Sequence, residues 1–233
     1  MNIDELKSYK IFEEELLSLE TLKNQGFNNI SYLLKTTSSS YVIRVFKSNE
    51  SVNISREFEY QIQKKAYKNN LASKPIFLNE KFMIYKFIEG IHKTKLSKTE
   101  LKNLTLKIKK FHNFKTKEKP YDIKKDLQNY NKNLNDTKSK KLIKEAFKSL
   151  SSLKKLKKEL VLSHHDLNPK NIIFKNNSIQ IIDWEYSGIS DRFFDLACVC
   201  VEFSLNKNEE KILLNTYLKN YKKYQLIQGV LIK

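Results

Sequence analysis

The stretch LSHHDLNPKNIIF (residues 162–174), with IIDWEY (181–186) and FFDL (193–196) after it, decides how the rest of the chain is read. Asp166 is followed five positions later by Asn171, and Asp183 comes after a short hairpin's worth of strand-forming residues. Ile172, Ile173 and Phe174 predict a strand directly behind Asn171. The alternating Ile179 and Ile181 predict another directly ahead of Asp183. Both polar side chains then stand at the ends of rigid elements rather than on loose loops.

Two carboxylates and an amide in this order suit the transfer of a phosphoryl group. That reaction needs a carboxylate to orient and deprotonate the accepting hydroxyl, which is the role read for Asp166. It also needs oxygen ligands that hold Mg²⁺ on the phosphates of ATP, the role read for Asn171 and Asp183. ATP and Mg²⁺ are therefore the expected cofactors.

The order His164-x-Asp166-x4-Asn171, then Asp183 after a strand, is the kinase-like arrangement of catalytic loop and metal aspartate. Trp184 and Glu185 stand where a protein kinase carries Phe-Gly, and here the chain resembles the small-molecule kinases of the aminoglycoside phosphotransferase and choline kinase superfamily. Within it, Asp183 to Tyr186 and the Phe194-Asp195-Leu196-Ala197-x4-Glu202 pattern are most similar to the choline/ethanolamine kinases, especially the bacterial choline kinases of surface-polysaccharide pathways.

That resemblance implies a protein-kinase-like α+β fold in two lobes. The smaller, residues 1–87, would hold a five-stranded antiparallel sheet and one helix, and residues 88–233 a mostly helical catalytic lobe. It implies that Asp166 is catalytic with His164 propping its loop, and that Asp195 braces that loop. Tyr186 and Glu202 would face the quaternary ammonium of choline, since an aromatic face and a carboxylate together hold a cation that donates no hydrogen bond. Trp184 and Glu185 join them on the substrate side, with Glu185 also a candidate for the metal's outer shell. From the residues alone, Glu202 reads equally as an exposed glutamate at a helix end.

The chain carries 44 Lys and Arg against 26 Asp and Glu, a formal charge of +18. Such a balance points either to a polyanion partner or to a compositional bias towards Lys, Asn and Ile. The lysines are spread along helical patterns without an arginine-rich or aromatic-interleaved run, so no nucleic-acid partner is expected. Cys198 and Cys200 offer neither metal spacing nor a disulfide framework. The start lacks a signal-peptide pattern and no apolar run reaches membrane-spanning length, so a cytoplasmic location is expected.

Along the chain, Leu6, Phe12, Leu16 and Leu19 predict an amphipathic helix over residues 4–20. Residues 27–35 and 41–47 predict a hairpin, with Gly26, Asn28 and Asn29 at the phosphate loop of the resembled family. Arg44 lies mid-strand between apolar neighbours, an awkward place for a charge without a partner. It resembles the family's basic residue that grips the α and β phosphates. Its expected partner is Glu57, in a helix over 52–68 with the stripe Ile54, Phe58, Ile62 and Ala66, and Glu59 competes for that role; a solvent-facing Arg44 is the alternative. Residues 75–78 and 82–87 predict a second hairpin running into Tyr85–Gly90, which resembles the adenine hinge and assigns Phe87 and Ile88 to the nucleotide. Ser97 and Glu100 form a capping box opening a helix with Leu101, Leu104, Ile108 and Phe111 inward and His112 at the edge as a structural histidine. Two Lys-rich helices follow between Pro120 and Lys158, and a helix is predicted from Asp191 to Leu205.

Two departures from the resembled family stand out. Lys170 occupies the position before the metal Asn where many relatives have Gly. Relatives also commonly continue with helices that supply aromatics to the choline pocket, for which Tyr217, Tyr221 and Tyr224 are the candidates here, with core packing as their other reading. The rival enzyme reading is a kinase for ethanolamine, thiamine or an aminoglycoside. A non-catalytic polyanion-binding protein on a kinase fold is the rival from another class.

Overall fold

The computed structural model describes residues 1–23, 28–47, 55–153, 158–176 and 178–218. Helix α1 (Ile3–Ser8) opens the chain, followed by strands β1 (Leu16–Thr21), β2 (Asn29–Thr36) and β3 (Ser40–Phe46), helix α2 (Arg56–Lys68), and strands β4 (Pro75–Leu78) and β5 (Phe82–Lys86). Helices α3 (Lys98–His112), α4 (Ile123–Asn133) and α5 (Thr137–Leu153) precede strand β6 (Leu160–Ser163). Strands β7 (Ile172–Lys175), β8 (Ser178–Ile181) and β9 (Gly188–Asp191) and helices α6 (Phe193–Glu202) and α7 (Lys207–Tyr217) complete the described elements.

Two compact units emerge, Met1–Lys93 with Pro169–Tyr186, and Thr94–Asn168 with Ser187–Lys233. The expected lobe boundary after Phe87 falls inside the first unit. Residues 169–186 group with the first 93 through backbone pairing: Ile91 and Phe174 exchange N–H···O bonds of 2.9 Å in both directions, and Ile181 N–H donates to the Leu71 carbonyl at 2.7 Å. Gly90 permits the first of these approaches. A Cβ there would meet the Phe174 carbonyl oxygen at 2.7 Å and collide with the Ile173 side chain.

The first unit is built on a five-stranded sheet in the order β1-β2-β3-β5-β4. All its neighbours are antiparallel, with β3 in the centre pairing Arg44 with Ser31 on one side and Met83 on the other. Leu34, Tyr41, Ile43, Phe82 and Ile84 bury one face against Leu6 of α1. Side chains alternate along a strand, so Arg44 projects from the opposite face to Ile43.

The helix expected over residues 4–20 is not formed. Asn2 caps α1 by accepting from Glu5 N–H, and the helix closes at Tyr9, ahead of Lys10 with φ of 51°. Residues 16–21 become β1 and cover the free edge of β2, paired from Leu16↔Thr36 to Thr21↔Tyr32 with a shift of register between Leu16 and Ser18. Tertiary pairing overrides the helical spacing there, and it is this strand that brings the sheet to five. Helix α2 begins at Arg56 behind the N-cap Ser55, and its buried positions are Arg56, Glu59, Ile62, Gln63 and Ala66. Phe58 is half-buried, and the expected positions 52 and 54 lie outside the described residues, as do Gly26, Tyr221 and Tyr224.

In the second unit, α3 has the expected capping box, with Leu101, Leu104, Ile108 and Phe111 fully buried. Strand β6 pairs with β9, which the helix expected from Asp191 did not foresee; α6 starts only at Phe193, whose N–H is held by the Asp191 carboxylate at 3.0 Å. Helix α4 buries no residue and α5 only Ile143. No helix among the described residues is long and apolar enough to cross a membrane.

Candidate active site

The hairpin of β7 and β8 pairs Ile172 with Ile181 at its open end. One step beyond, Ile182 N–H donates to the Asn171 carbonyl at 2.9 Å, and Asp183 is the next residue. The β-branched residues of both strands thus deliver Asn171 and Asp183 to the same end of one rigid element. Asn171 is buried, whereas the Asp183 side chain is 33% exposed. Asp183 has φ of 64°, in the left-handed region that Asp tolerates better than most residues. Held strain of this kind clusters at functional sites.

Asp183 Oδ1 is 2.6 Å from an Arg44 guanidinium nitrogen. The other terminal nitrogen of Arg44 donates to Glu59. Arg44 is therefore buried and paired, not solvent-facing, and the partner expected at Glu57 is the competing candidate Glu59. The reason is the phase of α2: with Ser55 as cap, positions 56, 59, 62, 63 and 66 turn inward and Glu57 is exposed. Burial works against the charge on Arg44, but Asp183, Tyr85 and Glu185 together outweigh it and its pKa rises.

Arg56 extends the network. It donates to Glu59 Oε2 at 3.0 Å and to Glu185 Oε2 at 2.8 Å through one nitrogen, and to Asn29 Oδ1 at 3.1 Å through the other. Its guanidinium lies over the Phe46 ring, 4.1 Å from the centroid. Glu185 also accepts from Asn28 at 3.1 Å and from Asn29 at 2.9 Å. Burial alone would raise the Glu185 carboxyl, yet Arg44 and the hydrogen bonds from Asn29, Arg56 and Asn28 hold it below the ordinary range. Asn28 donates in addition to the Tyr186 hydroxyl at 2.7 Å. Trp184, expected on the substrate side, is fully buried and donates to the Ile181 carbonyl at 3.1 Å, so it anchors the turn from inside. Glu185 is likewise buried, with its oxygens facing these donors.

Phe87 and Ile88 line a cavity of about 690 Å³ in this unit, together with Leu17, Leu33, Lys35 and Lys175. In the same unit, His92 Nδ1 lies 2.9 Å from the Ile172 carbonyl and 3.2 Å from that of Pro169. A ring nitrogen facing two carbonyls must carry the proton, so His92 clamps the turn that presents Asn171.

The second unit holds the loop of Asp166. Asp195 is fully buried; one oxygen accepts His164 N–H at 2.8 Å and the other His165 N–H at 3.0 Å. His112 Nε2 is 3.0 Å from Asp195 and its Nδ1 is 2.6 Å from the Tyr217 hydroxyl. Nε2 thus faces the Asp195 carboxylate while the Tyr217 hydroxyl meets Nδ1, which sets the ring's orientation. Burial would raise the Asp195 carboxyl, but His112 and the His164 N–H hold it below its ordinary value. His164 is also buried, and its Nδ1 accepts Asp166 N–H at 3.3 Å. Asp166 Oδ1 accepts from Asn168 at 2.8 Å. His165 has φ of 67°. Glu202 is exposed at the end of α6.

Arg56 and His92 escape a reading of the sequence. Arg56 carries a signal nonetheless: only Arg44, Arg56 and Arg192 among the 44 basic residues are arginines.

The profile of the choline/ethanolamine kinase family matches residues 17–230. A LicA homolog from Mycoplasma capricolum is 27% identical over 206 residues, covering 87% of this chain and 81% of its own. One from Metamycoplasma hominis is 28% identical over 225 residues, covering 92% and 85%. In fold, the chain is similar to the choline kinase LicA from Streptococcus pneumoniae, with a TM-score of 0.80 at 22% identity over 98% of this chain and 88% of that one. Spectinomycin phosphotransferase shares the fold more distantly, with a TM-score of 0.67 at 14% identity over 100% and 87%. Matched over nearly its whole length, and carrying the Asp166, Asn171 and Asp183 set on a kinase-like α+β fold, the chain belongs to the choline/ethanolamine kinase family and is a phosphotransferase with an alcohol acceptor.

Proposed function

We propose that the protein transfers the γ-phosphoryl group of ATP to the hydroxyl of choline. The observation that carries this reading is the meeting of Asn171 and Asp183 at the end of the β7–β8 hairpin, in a chain of this family. One carboxylate and one amide oxygen are a donor set suited to Mg²⁺, which takes few protein ligands and keeps water and phosphate oxygens. Bound there, Mg²⁺ would neutralise charge on the phosphates. Arg44 adds a buried cation on the same side of the sheet, and Phe87 and Ile88 are assigned to the adenine end.

Asp166 takes the proton of the acceptor hydroxyl as the hydroxyl oxygen bonds to the γ-phosphorus and the bond to the bridging oxygen of ADP breaks. Its loop is fixed by Asp195 through two backbone amides, so the base is positioned before substrate arrives. Tyr186 and Glu202 are assigned to the ammonium. What supports choline over ethanolamine is that the homologs carry the name LicA, which the Streptococcus pneumoniae protein titled a choline kinase also carries.

Measured kcat/KM for choline and ethanolamine tests this. Choline should be preferred, and Tyr186→Ala should raise its KM about 3-fold to 30-fold with ATP little affected, as befits a cation on an aromatic face worth roughly 0.5–2 kcal/mol. Glu202→Gln should act in the same direction. Equal use of both substrates with silent variants would remove the preference for choline and the ammonium site at Tyr186 and Glu202.

A further inference from the structure

We infer that Arg56 is a positioning residue for Asp183, acting through Glu59 and Glu185; this rests on the reading of Asp183 as the metal ligand. Arg56 occupies the first position of α2, the end of a helix that disfavours a cation, and it is buried there. What offsets both costs is its placement between two carboxylates. The contacts close a ring: Asp183 to Arg44, Arg44 to Glu59, Glu59 to Arg56, Arg56 to Glu185, and Glu185 back to Asp183 through the backbone of Trp184. Three carboxylates alternate with two guanidiniums, and Asp183 is the most exposed member.

The ring separates the two acidic residues of the Asp183-Trp184-Glu185 segment by role. Asp183 faces outward, while Glu185 is drawn inward by three donors from Asn28, Asn29 and Arg56. Without Arg56, Glu59 and Glu185 lose their common cation and repel across the space it filled. Glu185 sits in the 3₁₀ turn Trp184–Tyr186 that directly follows Asp183, so its displacement reaches the left-handed backbone that aims the Asp183 carboxylate. A lysine keeps the charge but not the planar fork that serves three acceptors at once.

The test is calorimetry of ATP binding by the intact chain over a Mg²⁺ series. The variants are Arg56→Met, Arg56→Lys, Glu185→Gln and the doubles of Glu185→Gln with each. Arg56→Met and Glu185→Gln should each raise the Mg²⁺ requirement about 10-fold to 100-fold, the usual range for residues that orient a metal ligand. The double should be no worse than the worse single, because both act along one path. Arg56→Lys should recover only part of the loss. If Arg56→Met fails to fold, Arg56→Lys and Glu185→Gln complete the same cycle.

Effects that multiply in the double would assign Glu185 to the metal independently of Arg56 and overturn the inference. So would variants that melt lower with an unchanged Mg²⁺ requirement. Asp183→Ala separates the underlying reading: an unchanged requirement there removes the metal from Asp183 altogether. A lost requirement there, beside wild-type behaviour of the Arg56 and Glu185 variants, rejects only the role of Arg56.

Discussion

Asp166 and Asp195 are both carboxylates of the second unit, but their surroundings give them different work. Asp166 is half-exposed on its loop and is assigned to the acceptor, so Asp166→Asn should cost about 10²-fold to 10⁴-fold in turnover while ATP affinity stays within about twofold. Steady-state rates with calorimetry of ATP check both. Asp195 is fully buried with its pKa held below 3.8, so near and below that value the unfolded chain binds more protons than the folded one. Its contribution to stability is present above pH 4 and is lost as the pH falls through the depressed value. Denaturant midpoints over a pH series should fall on acidification and flatten in Asp195→Asn, although that variant starts less stable. The meeting of Asn171 and Asp183 is legible in the sequence because both lie beside strand formers at fixed short spacing. The partner of Arg44 is not, because Glu57 and Glu59 differ only in the rotational phase of α2, and its inward stripe contains Arg56 and Glu59, which a search for apolar periodicity discounts. The arginines would have shown the way. In a chain that uses lysine wherever a point charge suffices, Arg44, Arg56 and Arg192 all sit in ion pairs, two of them deeply buried.

At the level of elements, the hairpins of the first unit are read correctly because β-branched and aromatic residues dominate them and polar turns separate them. The N-terminal stretch is misread because Leu6, Phe12, Leu16 and Leu19 fit a helix locally. Only the open edge of β2, formed by residues further along, makes 16–21 a strand. The α4–α5 pair shows the converse case, a clear helical pattern whose apolar side is only partly covered among the described residues, Ile143 being buried and Leu142 58% exposed. Gly90 offers an element-scale test. Its missing Cβ lets the segment after β5 exchange backbone bonds with β7, so Gly90→Ala should destabilise by about 1–3 kcal/mol as an overpacking change. Chemical denaturation measures it, and a variant as stable as wild type would show that the two strands can part without cost.

For the molecule as a whole, the first unit is discontinuous in sequence, and its charge ring is discontinuous with it. Arg44, Arg56 and Glu59 belong to the first 93 residues, whereas Asp183 and Glu185 come from 169–186. A fragment of residues 1–93 should therefore show no cooperative thermal transition, and joining 169–186 to it through a flexible Gly/Ser linker should restore one. Circular dichroism melts of both pieces decide this, and a sharp transition in the shorter one would mean that its sheet suffices. The ring also sets a clock on biosynthesis. At about 5–20 residues per second, a ribosome that has passed Lys93 needs roughly 5–20 s to reach Tyr186. Throughout that interval Arg44 and Arg56 lack the carboxylates of Asp183 and Glu185, and β7 is not yet there to meet Ile91. The part of this chain that is made first is thus among the last to be finished.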